Sequence, residues 1–370
     1  DDRTLSAPDA FVLDGRVVAG AYEYKLFMGG VSDPADGQWY LRSVRLGPSP
    51  RDVAYLSNQH LSEAMFVHSL HDRVDASGFG FVADQDFDAS WDRPRGWLRT
   101  RGDWGERRSV KGDFRVDSDT FQMQGGVELA EWQVAGAEDG KEGAVHVGVM
   151  GSYGNASSRT KVLDSATQAK GEVEGWIAGA YSTWYQDDEK KQGAYVDTWL
   201  QYGWFSNRVS DDQHPSVKYH AQGWAISGEA GYALPLGDDW VVEPQGQLLY
   251  VNYRKNGITE SSDAPVPWAD SDGWTSRLGV RTYRTFVSED SRKVQPYVTV
   301  NWWYAGTNKK LSFNEKIPVE SPYESDRYEL ELGVSGEFDE HWAGWADVSG
   351  TWDKKGSSQY VLHAGVKYAW

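Results

Sequence analysis

From Gly96 to Trp370 the chain repeats one pattern: a run of residues in which apolar side chains alternate with small or polar ones, ended by a turn. Period-two alternation puts the two sets on opposite faces of an extended strand, and repetition over this length leaves little room for anything but a sheet. The segments 96–105, 120–134, 143–153, 173–186, 193–206, 220–234, 240–252, 274–287, 293–305, 325–338, 341–352 and 359–370 read as strands. Val294, Pro296, Val298, Val300, Trp302 and Tyr304 share one face opposite Gln295, Thr299 and Asn301. Leu330, Leu332, Val334 and Phe338 oppose Glu329, Glu331, Ser335 and Glu337.

A soluble sandwich alternates in the same way, so the connections have to discriminate. On these boundaries 106–119, 154–172, 207–219, 253–273 and 306–324 are long, whereas 135–142, 187–192, 235–239, 288–292 and 339–340 are short, and only 353–358 breaks the order. Long connections on one side and short turns on the other are the mark of an outer-membrane barrel. An even strand number puts both barrel ends on the short-turn side, and closure removes the exposed edges. The fold class read here is all-β: a 12-stranded antiparallel transmembrane β-barrel.

The composition fits. Net charge is −18 and mean hydropathy −0.63, with no apolar run long enough for a membrane helix; half-polar barrel strands average to such values. The chain has 19 Trp, 20 Tyr and 12 Phe, and the apolar parity places Trp104, Tyr153, Tyr181, Tyr185, Trp240, Tyr304, Trp342, Trp352, Tyr360 and Trp370 at strand ends, as interfacial girdles require. The other parity sends Arg99, Arg101, Glu128, Glu174, Glu243, Arg277, Arg281, Glu329 and Glu331 into the lumen. The acidic balance argues against nucleic acid. With no cysteine, disulfides and thiolate chemistry are excluded, which suits a chain crossing an oxidising periplasm unfolded.

Residues 49–77 read as a helix. Ser49 caps it, Pro50 suits the first position, and Asp52 completes a capping box. Val53, Leu56, Ala64, Val67 and Val74 recur at helical spacing, interrupted by His60 and His71, until Ser77-Gly78. A helix of about 25 residues spans roughly 37 Å, enough to cross a bilayer but too polar to face lipid. A barrel of this size has room for about one helix, so Val53, Leu56, His60, Ala64, Val67 and His71 are placed in the pore.

Other motifs are weaker. Asp84-Gln85-Asp86-Phe87-Asp88 begins like a calcium loop, but Ala89 and Arg95 occupy the positions of the required Gly and Glu. Gly78-Phe79-Gly80-Phe81-Val82-Ala83 matches a dinucleotide string without a preceding strand. His68 and His71 lack companion metal ligands. No nucleophile elbow, P-loop or zinc motif is found, so neither an enzyme nor a cofactor is expected.

The residues resemble the classical autotransporters of type V secretion, of the pertactin and AIDA kind. Gly20-Ala21-Tyr22-Glu23-Tyr24-Lys25-Leu26 followed by Trp39-Tyr40-Leu41-Arg42-Ser43 resembles the end of their β-helical passengers, and Leu70-His71-Asp72-Arg73 the end of their pore segment. Glu243-Pro244-Gln245-Gly246-Gln247-Leu248, Arg277-Leu278-Gly279-Val280-Arg281 and Gln295-Pro296-Tyr297 look like three of their strands. Val366, Tyr368 and Trp370 resemble the C-terminal signal read by the barrel-assembly machinery.

The resemblance implies an outer-membrane translocator that displays its own N-terminal passenger at the cell surface, with the helix left in the pore. It divides the chain into a passenger end (1–48), a pore linker (49–77), an acidic linker (78–95) and the barrel (96–370). Its partners would be outer-membrane lipid, the assembly machinery, periplasmic chaperones and the passenger, and the barrel a monomer. The start at Asp1, with no signal peptide, is expected of a processed or partial precursor. Some relatives cleave in the pore at an Asn-Asn pair; Ser57-Asn58-Gln59 does not support that here. The rival readings are a diffusion channel, a barrel hydrolase and a soluble Trp-rich carbohydrate-binding protein.

Overall fold

The computed structural model describes residues 7, 10–13, 17–19, 22–44, 49–73, 95–135, 142–163, 167–188, 190–237, 239–255, 271–289, 292–306, 311–313, 317–319, 323–339 and 341–369. The Asp84–Asp88 and Gly78–Ala83 motifs, Val74 and Trp370 lie outside them.

Twelve long strands close into an antiparallel barrel: β4 (Arg95–Arg108), β5 (Phe114–Ala135), β6 (Glu142–Val162), β7 (Gln168–Tyr185), β8 (Gly193–Asp211), β9 (Val217–Gly237), β10 (Trp240–Lys255), β11 (Ser271–Arg284), β13 (Lys293–Ala305), β16 (Asp326–Glu337), β17 (Trp342–Asp353) and β18 (Ser358–Ala369). Closure is made by β18 on β4, with Tyr360 opposite Trp104 and Ala369 opposite Arg95. Past Arg284, the two residues of β12 (Phe286–Val287) stay paired to β13. β14 (Leu311–Phe313) and β15 (Ile317–Val319) form a separate ribbon in the longest connection.

Every strand foreseen is present, but the long connections are mostly not loops. β4 and β5 run on through 106–119 and leave only 109–113 as a turn; β6 continues to Val162 and β7 begins at Gln168, and β8 and β9 leave 212–216. Polar alternation there keeps the ladder going above the membrane, so the asymmetry takes the form of tall hairpins.

The outward parity is apolar between aromatic ends. On β17 it runs Trp342, Gly344, Ala346, Val348, Gly350, Trp352; on β18 it runs Tyr360, Leu362, Ala364, Val366, Tyr368. Ten steps from Trp342 to Trp352, at ~3.3 Å each and tilted ~40°, span about 25 Å, the height of a hydrocarbon band. No helix of the described residues is long and apolar enough to cross a membrane; the strands do the crossing.

Three expectations are corrected. On β7 the odd parity faces inward, so Tyr181 and Tyr185 are buried in the lumen and Glu174 points outward, bonded by the Tyr153 hydroxyl at 3.1 Å. Both parities of β7 are apolar over its membrane half, because the lumen there packs on the pore segment.

The helix is also shorter than its apolar spacing suggests. α1 covers Pro50–Ala64, and a single turn, α2 (Leu70–Arg73), follows an extended stretch. Within 1–48, β1 (Val17–Ala19), β2 (Tyr22–Met28) and β3 (Trp39–Val44) form an antiparallel meander in place of parallel β-helical rungs. The turn at Asp33-Pro34-Ala35-Asp36-Gly37 reverses the chain, with Gly29 N–H bonded to the Gln38 carbonyl at 2.7 Å.

Candidate functional site

The lumen is occupied by residues 49–73. The foreseen capping box forms: Ser49 Oγ accepts from Asp52 N at 3.2 Å, and Asp52 Oδ2 accepts from Ser49 N at 3.0 Å. At this end Arg51 bonds Asp211 Oδ2 (3.1 Å) and the Pro215 carbonyl (2.9 Å), at the base of the β8–β9 turn. The segment therefore starts on the tall-hairpin side.

Going inward, Val53 and Leu56 pack on Phe114, Val116 and Val162. Leu61, Met65 and Phe66 meet Val173, Ile177, Phe205 and Leu249 in the main apolar cluster. Glycines let the helix come this close. A Cβ on Gly171 would lie 2.3 Å from Asn58 Oδ1 and 3.2 Å from the Ala54 carbonyl, and one on Gly203 would lie 2.8 Å from Phe66 Cζ.

The helix hugs β5–β8, leaving a cavity of about 130 Å³ on the opposite side. It is lined by His60, Ala64, Val67, Arg101, Trp303 and Glu329, among others. Tyr323 stands beside it against His60 (5.7 Å) and Phe114 (6.0 Å). Burial pushes its phenol up to about 12, against the opposing effect of Arg107, which lies over the ring at 5.6 Å.

After Ala64 the backbone leaves the helix, and the wall satisfies its carbonyls. Gln122 Nε2 donates to Met65 O (2.7 Å), Gln201 Nε2 to Phe66 O (3.1 Å) and Gln247 Nε2 to His68 O (2.8 Å). Glu229 Oε2 accepts from Leu70 N at 3.0 Å. An extended chain in a pore would otherwise hold orphaned backbone groups. Lumen glutamines replace the helical bonds, which is why a continuous helix is not needed.

The last turn is held by charge. His71 Nε2 lies 2.6 Å from Glu243 Oε1. Arg73 is fully buried, 2.5 Å from Asp197 Oδ1, 3.2 Å from Thr183 Oγ1, and over the Tyr181 ring at 4.2 Å. Arg277 joins Glu229 (2.9 Å) to Gln245 (2.7 Å) and Gln247 (3.2 Å), behind the groups that hold residues 68–70.

Of the foreseen lumen residues, Arg99, Glu243, Arg277 and Arg281 are buried inside. Arg99 Nη1 reaches the Asp72 carbonyl at 3.4 Å. Glu329 accepts from Asn301 (2.7 Å) and Thr351 (3.2 Å), and Arg101 pairs Asp103 at 3.3 Å. Glu128 pairs His146 (2.8 Å) at the other rim, where Asp188 holds the second ring nitrogen at 2.7 Å. His68 stacks on Trp199 at 4.7 Å, so the two histidines are not brought together as metal ligands.

Gln122, Gln201, Asp197 and Glu229 belong to none of the motifs above. Their signal was a large polar residue on the inward parity of a membrane-depth strand.

A lipid-banded closed barrel whose lumen is filled by its own preceding segment defines a class: helix-plugged outer-membrane β-barrels. Residues 96–349 match the autotransporter beta-domain model, and the chain belongs to that family. It is 31% identical to the uncharacterized protein YuaQ of Escherichia coli K12 over 97% of its length, covering 27% of that relative, and 25% identical to the Escherichia coli autotransporter adhesin AIDA-I, covering 28% of it. The chain thus spans about a quarter of the length of these two relatives. The fold is that of the AIDA-I transport unit (TM-score 0.69, 20% identity, 87% of this chain and 99% of that one) and of the β domain of Bordetella BrkA (0.59, 21%, 75% and 100%). The barrel is an outer-membrane autotransporter translocator domain.

Proposed function

We propose that the chain exports its own N-terminal passenger and holds it at the cell surface, with residues 49–73 left in the pore as the tether. What carries this reading is the path of that segment, from Arg51 among the tall hairpins to Arg73, buried in the lumen on the half toward the barrel ends. Residues 1–48 are the passenger end, 49–77 the linker, 78–95 an acidic connector and 96–370 the barrel. Val366, Tyr368 and Trp370 are the signal for the assembly machinery, and periplasmic chaperones deliver the chain to it. The barrel works as a monomer, without catalysis or a cofactor.

Folding of the passenger outside supplies the outward bias. Trp39→Pro breaks the β2–β3 pairing opposite Met28, so surface exposure of an upstream epitope should fall to a small fraction of wild type while barrel folding is unchanged. Unaltered display would overturn the bias. In planar bilayers the intact chain should be nearly closed, and deletion of residues 49–73 should open a steady conductance. An intact chain that conducts steadily would favour the diffusion channel.

A further inference from the structure

Above the aromatic ring on the tall-hairpin side, the outward faces of β4–β10 carry a tier of exposed cations: Arg108, Arg115, Arg159, Lys161, Lys170, Arg208, Lys218 and Arg254. This is unexpected in a chain of net charge −18. The register sharpens it. Arg108 is directly opposite Arg115, Arg115 opposite Lys161, Arg159 opposite Lys170, and Arg208 opposite Lys218. Like charges facing across a ladder destabilise it.

Carboxylates interleave with them: Asp117 is directly opposite Arg159 and Glu172 directly opposite Arg208, whereas Glu106, Asp119 and Glu174 sit lower on their own strands. Arg115 is matched by Glu106 (2.9 Å) and Asp117 (2.8 Å), Arg108 by Glu106 (2.6 Å), and Lys170 and Arg208 share Glu172 (2.5 and 3.6 Å). Arg159, Lys161, Lys218 and Arg254 make no ion pair among the described residues.

Height selects the ligand. Arg159 and Lys170 lie six residues beyond Tyr153 and Trp176, and Arg208 four beyond Trp204. At ~3.3 Å per residue and ~40° tilt, that is about 10–15 Å above the ring. A phospholipid headgroup layer is only about 5–8 Å deep; a large glycolipid with phosphorylated sugars reaches this tier.

We propose that this cationic tier binds phosphate groups of bulky outer-leaflet glycolipids, with the pairs Arg115–Lys161, Arg159–Lys170 and Arg208–Lys218 as the phosphate cradles. The proposal rests on the hairpins being extracellular, as in the reading above. Cleavage of the β4–β5 turn at the exposed Lys111 by trypsin added to intact cells tests that orientation separately.

The test is binding of purified lipopolysaccharide to the folded chain in dodecyl maltoside, comparing wild type with the combined variant Arg159→Ser, Lys161→Ser, Lys170→Ser and Lys218→Ser. Each cation near an anionic lipid contributes about fivefold, so the variant, which lacks four, should bind about 600-fold more weakly, with unchanged circular dichroism and unboiled gel mobility. Dephosphorylated lipopolysaccharide should bind wild type no better than it binds the variant. Equal binding by both proteins would overturn the proposal. So would equally tight binding of phosphatidylglycerol vesicles, or displacement by millimolar inorganic phosphate.

Discussion

Arg73→Ala should lower the stability of the plugged barrel by about 3–5 kcal/mol, because it leaves Asp197 buried without its cation. Both side chains are essentially inaccessible, 0% and 1% exposed. Arg73 also covers the Tyr181 ring and donates to Thr183, so one substitution strips three contacts from the inner end of the tether. The midpoint of heat-modifiable gel mobility reads the loss, and bilayer conductance reads the loosened plug as frequent openings. Arg73→Ala combined with Asp197→Ala should lose less than Arg73→Ala alone, since the stranded charge is then gone. Additive losses, or an unmoved midpoint, would show that the pair does not hold the segment.

The legible part of this fold is the part that faces lipid. Hydrocarbon keeps the outward positions of a strand predominantly apolar, so the strand count and outward faces such as Val294–Tyr304 and Leu330–Phe338 can be read from alternation alone. The lumen imposes no such rule. Where α1 leans on β6–β8, inward positions such as Val173, Ile177 and Tyr181 are as apolar as outward Trp176, Ala178 and Ala180, and the parity of β7 was read backwards. Above the membrane, neither face is apolar, so the extended hairpins looked like loops. The break at 65–69 was hidden because its cause lies in Gln122, Gln201 and Gln247, far away in sequence. A helix read from its own spacing cannot report the wall that replaces its hydrogen bonds.

The same separation of wall and plug makes Phe66 the most sensitive apolar site. It is fully buried, edge-on to Phe205 at 5.7 Å, and lies over the space left by Gly203. Phe66→Ala should cost about 3–5 kcal/mol, the transfer loss plus the cavity that a rigid strand wall cannot collapse to fill. Gly203→Ala should cost about 1–3 kcal/mol by overpacking, because its Cβ would stand 2.8 Å from Phe66 Cζ and 2.9 Å from Phe205. The two together should cost clearly less than their sum. Removing the Phe66 ring vacates the space into which Phe205 moves to admit the new methyl, and residues sharing one cavity couple. Denaturant midpoints of the two single variants and the double variant decide the point, with the barrel's own unfolding followed in a chain lacking residues 49–73. If Phe66→Ala destabilises the plugged chain no more than deletion of the plug does, the ring acts only through the tether. If it destabilises the plugged chain below that level, its loss also disturbs the wall at β7–β8, and the pore segment is part of the barrel's core.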